Sequence, residues 1–220
     1  MNFNINILSH TINNFNDTNI MYKIINSFDD VIINNSNTLI ICDIDETLLT
    51  WNKKSSDFNH LVKLDFNLKD KEYEEYEEYE EYEEYKEIEK EAQCFLNMYR
   101  VIVKPEMTDV NGFNNLLDKI IQTDSQIIFL TARPNNESSK KFTRKNFTDI
   151  GLDYDKYTIH WTNNNSISKG EYIFNNIDIN KYNEIIFIDD YESYIKTVND
   201  ILHNIICYKF EANYHKLSLK

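Results

Sequence analysis

The run Thr38-Leu39-Ile40-Ile41-Cys42-Asp43-Ile44-Asp45-Glu46-Thr47-Leu48-Leu49 decides how the rest of the chain is read. Over Thr38 to Asp43 it is apolar or β-branched without alternation until the closing aspartate, the pattern of a short strand buried on both faces, as in a parallel sheet. Asp43 and Asp45 then stand two apart where that strand ends. A carboxylate there is costly unless it is paired or bound to metal. Two so close raise one another's pKa, whereas a divalent cation would keep at least one ionised. Taken alone, D-x-D-x-T also fits a plain turn or cap, so its meaning depends on what stands at the other strand ends.

Outward from this run, further short apolar stretches lie at Gln126 to Leu130, Tyr157 to Trp161, Glu184 to Ile188 and Ile205 to Tyr208. Helical spacing covers Val110 to Gln122, Asn136 to Ile150, Ser168 to Asn176 and Tyr191 to Leu202. Strand and helix in alternation predict an α/β fold, a doubly wound, Rossmann-like parallel sheet. Ligands bind such sheets outside the carboxyl ends of the strands, and chemistry is concentrated there. Phe129-Leu130-Thr131-Ala132-Arg133 places a hydroxyl after the second strand, and Ser166-Ile167-Ser168-Lys169-Gly170-Glu171 an amine at a helix start. Phe187-Ile188-Asp189-Asp190 ends another strand on an acidic pair. Each has an ordinary reading: a turn for Thr131, a solvated lysine for Lys169, a helix cap for Asp189 and Asp190. All of them in order at strand ends are jointly improbable as accident.

With these motifs in order, the chain resembles the haloacid-dehalogenase superfamily over about Thr38 to Tyr208, apart from the segment between the first two motifs. Its first motif, D-x-D-E-T-L, is similar to those of secreted acid phosphatases and carboxy-terminal-domain protein phosphatases, with Glu46 where glycine is commoner. The resemblance implies a phosphatase with Asp43 as the nucleophile that becomes an aspartyl phosphate. Asp45 would be the acid and base that protonates the leaving oxygen and then activates water. It further implies Mg2+ held by Asp43, the backbone carbonyl of Asp45 and Asp189, with Asp190 in support. Thr131 and Lys169 would hold the phosphoryl oxygens, with Arg133 a further contact to substrate. Phosphoryl transfer depends mainly on in-line positioning and charge neutralisation, and oxygen ligands suit magnesium. The expected substrate is a small phosphorylated metabolite. Phosphotransfer to a sugar, action on a phosphoprotein or nucleic-acid end, and a silent binding module of this fold are the alternatives, and the presence of both first-motif aspartates argues against the last.

The 220 residues suffice for one α/β core with a modest insertion. The expected division is a helical N-terminal extension over 1–37 packing on the core, a core over 38–50 and 105–220, and a mainly helical, cap-like insertion over 51–104. Within the extension, Ile20, Ile24, Ile25 and Phe28 have helical spacing across Asn19 to Phe28. The net charge of −14 argues against nucleic acid or anionic membrane as partner. Most of it lies between Asp70 and Glu91, where 13 acidic residues face 3 lysines. There, tyrosines 73, 76, 79, 82 and 85 recur every third residue, so on a helix they drift around the axis and form no single apolar face. Ala92, Phe95, Leu96, Met98 and Tyr99 could dock the end of this segment.

Lys140, Lys141, Arg144 and Lys145 form a basic cluster on one helix. It reads as a solvated face, with Phe142 and Phe147 as core positions and not a platform for bases. Cys42, Cys94 and Cys207 lack the spacing of a disulfide framework or zinc site. A start without basic residues or a long apolar run, and no membrane-length apolar stretch, lead to the expectation of a soluble, intracellular protein. Oligomeric state is not legible.

Overall fold

A computed structural model describes residues 22–51, 103–163 and 166–211. Within them the chain runs β1 (Tyr22–Ile25), β2 (Thr38–Cys42), β3 (Leu49–Thr50), β4 (Glu106–Met107), α1 (Val110–Gln122), β5 (Gln126–Thr131), α2 (Glu137–Asp149), β6 (Thr158–Trp161), α3 (Lys169–Asn176), β7 (Glu184–Asp189), α4 (Glu192–Ile201) and β8 (Ile205–Phe210). Six strands form one parallel sheet in the order β1-β8-β7-β2-β5-β6.

β2 is buried along its whole length because both faces of the sheet are covered. Side chains alternate across a strand. Ile40 and Cys42 therefore meet Phe113 and Leu116 of α1 and Phe147 of α2 on one face. Leu39 and Ile41 meet Ile173 of α3 and Ile195 and Val198 of α4 on the other. Each fully buried aliphatic side chain contributes about 1.5–3 kcal/mol, which explains why the core strands tolerate no polar alternation. This is a doubly wound α/β sheet. Its helix bounds fall within a residue of the sequence reading, whereas β5, β7 and β8 run on to Thr131, Asp189 and Phe210, and β2 stops one residue short of Asp43.

From β2 the chain moves outward through β5 to β6, then crosses back to β7 and β8 on the opposite side. The connections after β2 and β7 thus leave in opposite directions, opening a crevice at the carboxyl ends of these adjacent strands. The antiparallel ribbon of β3 and β4 pairs Leu49 with Met107 and Thr50 with Glu106, so the chain before residue 51 and after residue 105 is drawn together there.

The N-terminal expectation is corrected. Instead of a helix over Asn19 to Phe28, Tyr22–Ile25 is the edge strand β1, parallel to β8 with Tyr22 opposite Cys207 and Ile25 opposite Phe210. A short 3-10 turn, Phe28–Asp30, follows. The open edge of β8 offers backbone partners that an isolated short helix would lack, and the aromatic and β-branched content of Tyr22-Lys23-Ile24-Ile25 suits a strand. Ile25 and Phe28 do reach the core, where Phe28 stacks 4.7 Å from Phe210, but Ile24 is 55% exposed. Ile20 and residues 52–102, with the Glu/Tyr repeat, Cys94 and the apolar positions from Ala92 to Tyr99, lie outside the described residues. No helix among the described residues is long and apolar enough to cross a membrane.

Candidate active site

Beyond β2 the chain turns back on itself. Ile44 O accepts from Leu48 N at 3.0 Å and Leu49 N at 2.8 Å, while Glu46 N donates to Leu49 O at 2.7 Å. This hook places Glu46 at φ 63, in the left-handed region that favours glycine, at a cost on the order of 1 kcal/mol for an L side chain. It carries Asp43, Asp45 and Thr47 around the mouth of the crevice. Asp43 N still donates to Ile188 O at 2.9 Å, continuing the β2–β7 ladder one residue past the strand, so Asp43 is held beside Asp189.

Lys169 reaches both of them. Its Nζ donates to Asp43 Oδ1 at 2.5 Å and to Asp189 Oδ2 at 2.6 Å, and its side chain is fully buried. Lys169 is the first residue of α3, capped by Ser168 in a reciprocal box with Glu171. A cation at a helix N-terminus meets an unfavourable dipole, and the two carboxylates outweigh it. Gly170 allows this placement: a Cβ there would lie 2.1 Å from Thr197 O of α4. The ring of Tyr194 stands 4.6 Å from the ammonium and that of Phe187 5.9 Å.

One carboxylate oxygen from each of Asp43, Asp189 and Asp190 lies within 4.8 Å of the others. Asp190 Oδ1 accepts from the buried Thr47 hydroxyl at 3.2 Å, and Asp189 Oδ1 from Tyr191 N at 2.9 Å. Burial pushes Asp43 up to about 7, with Asp189 and Asp45 adding to the rise and Lys169 opposing it. Burial likewise raises Asp189 against the pull of Lys169, and raises Asp190 well above the carboxylate range with help from Asp189, Asp43 and Glu46. For Lys169, burial pulls downward, but Asp189 and Asp43 together win and the net direction is up. Three carboxylates against one ammonium leave a formal deficit of two positive charges. An all-oxygen donor set with that deficit fits a hard divalent cation such as Mg2+.

Asp45 is not in this group. Its carboxylate is gripped by Arg133, whose Nε donates to Oδ2 and Nη2 to Oδ1, both at 2.8 Å. The remaining nitrogen, Nη1, donates to Thr143 Oγ1 at 2.7 Å, and the guanidinium lies 5.0 Å from the ring of Phe142. Arg133, the expected contact to substrate, is not uncommitted: one N–H of each guanidinium nitrogen is given to Asp45 or Thr143 within the chain. Nor is it an ordinary surface arginine, being only 9% exposed. Thr131 ends β5, fully buried, and its Oγ1 accepts from Arg133 N at 3.2 Å. It lies two residues beyond the Cys42–Phe129 pair, at the same end of the sheet as Asp43.

The sequence thus named Asp43, Asp45, Thr131, Arg133, Lys169, Asp189 and Asp190, and all of them stand at the carboxyl end of the sheet, in the turns beyond it or, for Lys169, at the start of the following helix. It missed Phe142, Thr143 and Tyr194, which touch the site's cations from helices with no motif to mark them. Three of the four basic residues on α2 pair with the chain's own carboxylates, Lys140 with Glu137, Arg144 with Asp155 and Lys145 with Asp149. Cys42 and Cys207 are buried strand residues, and burial pushes their thiols up, Cys207 to about 12.

No known family model matches the chain, and no curated protein matches it. Among solved structures, a chain of the Pnkp1/Rnl/Hen1 complex is similar over 81% of this chain and 48% of its own length, at 13% identity and a TM-score of 0.42. This chain spans about half of that one. So distant a likeness says nothing about activity.

Proposed function

We propose that the chain is a magnesium-dependent phosphomonoester hydrolase of the haloacid-dehalogenase type, acting on a small phosphorylated substrate. The observation that carries this reading is the meeting of Asp43, Lys169, Asp189 and Asp190 at the switch point of the sheet, with Asp45 held separately beside them.

The free oxygen of Asp43 attacks phosphorus, forming the Asp43–phosphate bond as the bond to the leaving oxygen breaks. Asp45, entering this step protonated, hands its proton to that oxygen and is left as the carboxylate paired with Arg133. In the second half, Asp45 takes a proton from water as the water oxygen attacks phosphorus, releasing phosphate and restoring Asp43. Keeping Asp45 on Arg133 and away from the metal-ligand group separates the acid/base carboxylate from the nucleophile. Lys169 keeps Asp43 oriented and offsets phosphoryl charge, and Thr131 supports the phosphoryl oxygens from the end of β5. Asp43, Asp189 and Asp190 would hold Mg2+, which supplies charge neutralisation for the phosphoryl oxygens when bound.

The test is hydrolysis of para-nitrophenyl phosphate with magnesium present and then chelated. Turnover should disappear with the chelator and fall at least about a thousandfold in Asp43→Asn, which keeps the shape but lacks the nucleophilic charge. Turnover in Asp43→Asn at the wild-type rate would sink the mechanism. A panel of phosphometabolites, phosphopeptides and 3′- or 5′-phosphorylated oligonucleotides then ranks the substrates.

A further inference from the structure

We propose that Thr143 and Phe142, neighbours on α2, are positioning residues that set the aim of the Asp45 carboxylate by immobilising Arg133. This rests on the functional reading above for the role of Asp45, but not for the geometry. Asp45 stands beyond the end of β2 in a turn, and a turn alone does not orient a carboxylate. Arg133 orients it through two parallel bonds of 2.8 Å. A guanidinium transmits orientation only if it cannot swivel, and what stops it here is α2.

The Thr143 hydroxyl donates to Ser139 O one turn earlier in the helix at 2.8 Å. Its proton is committed to the backbone, so Oγ1 faces Arg133 purely as an acceptor, at 2.7 Å from Nη1. Thr143 is fully buried, and water has no access to replace that acceptor. Phe142 lies beside the guanidinium, 5.0 Å from its central carbon, limiting tilt out of the plane of the Asp45 pair. Arg133 N is also tied to Thr131 Oγ1 at 3.2 Å, which fixes the backbone end of the side chain. Asp45 is thus indexed to a helix packed on the core, not only to its own turn.

The substitution that isolates this is Thr143→Val, which keeps the shape and removes the acceptor, against Thr143→Ser, which keeps the acceptor. On para-nitrophenyl phosphate with magnesium, Thr143→Val should lower kcat on the order of tenfold to a hundredfold with KM unchanged, since misplacement costs rate and leaves the phosphate-holding groups alone. Thr143→Ser should restore kcat to within about threefold of wild type. An independent readout is the 15N spectrum of the Arg133 side chain without substrate. The Nη1 and Nη2 signals should be separate in wild type and Thr143→Ser, and merged by rotation in Thr143→Val. If the valine variant does not fold, Phe142→Leu, at a half-buried position, gives the same comparison with the same expected directions. A wild-type kcat in Thr143→Val, a change confined to KM, or a serine variant as impaired as the valine one would overturn the proposal. Separate Nη signals in every variant would overturn it too. Should Asp43→Asn remain active, the functional reading fails by itself, and the arginine spectra still decide the clamp.

Discussion

Lys169 is the single fully buried lysine among the described residues, and both carboxylates it touches are buried with it. A buried charge is tolerable only while its partners remain, so removing one partner costs far more than the pair contributes. Lys169→Met should therefore destabilise the protein by about 3–5 kcal/mol near pH 8. Asp43 and Asp189 already have raised pKa values with the lysine present. Without it they rise further, and the folded variant escapes the penalty by binding protons at lower pH. The destabilisation should accordingly shrink toward pH 5. Urea unfolding of wild type and variant at the two pH values measures it, and an equal loss at both would show that the carboxylates do not carry the cost.

At the level of elements, the site depends on how closely α3 approaches α4. Gly170 sits in the first turn of α3, and an added methyl would come within 2.1 Å of the Thr197 carbonyl and 3.1 Å of the Ile201 side chain. The carbonyl belongs to helix backbone and cannot rotate away, so Gly170→Ala must push the start of α3 outward. Such overpacking costs about 1–3 kcal/mol. Because Lys169 is the neighbouring residue, the displacement also pulls its ammonium off Asp43 and Asp189. Gly170→Ala should thus lower the thermal midpoint by several degrees and also lower kcat, whereas a helix pair that merely stabilised the fold would lose only the first. Wild-type turnover at a lowered midpoint would separate the helix contact from the site.

For the whole molecule, a cation held as proposed would be linked to stability through the same carboxylates. Asp43 has a folded pKa of about 7 against about 3.9 unfolded. Between these values the metal-free folded protein keeps a proton that the unfolded chain has released, so stability falls as pH rises through that window. Asp189 and Asp190 shift in the same direction. Magnesium at this site would bind the ionised forms and compete with those protons. The rise in thermal midpoint on adding magnesium should therefore be small near pH 5, grow through pH 7 and level off near pH 8. Thermal scans with magnesium and with chelator across this range check it, and a gain that is constant or decreases with pH would refute the linkage.

By itself the sequence determined the sheet and which polar residues stand at its carboxyl edge, because both are written locally. Short continuous apolar runs such as Leu39 to Cys42, alternating with helical patterns, read as doubly buried strands, and the polar residues that end them, Asp43, Thr131 and Asp189, fall at the carboxyl end. Only the tertiary structure decided the rest. Tyr22–Ile25 had helical spacing but became a strand because β8 offered an open edge, a fact about another part of the chain. Arg133 grips Asp45, 88 positions away, and is held in turn by Thr143 on a helix without a motif. Long-range pairing of this kind leaves no mark at either residue. It exists only once folding has buried Arg133 and Thr143 and brought the half-buried Asp45 against them.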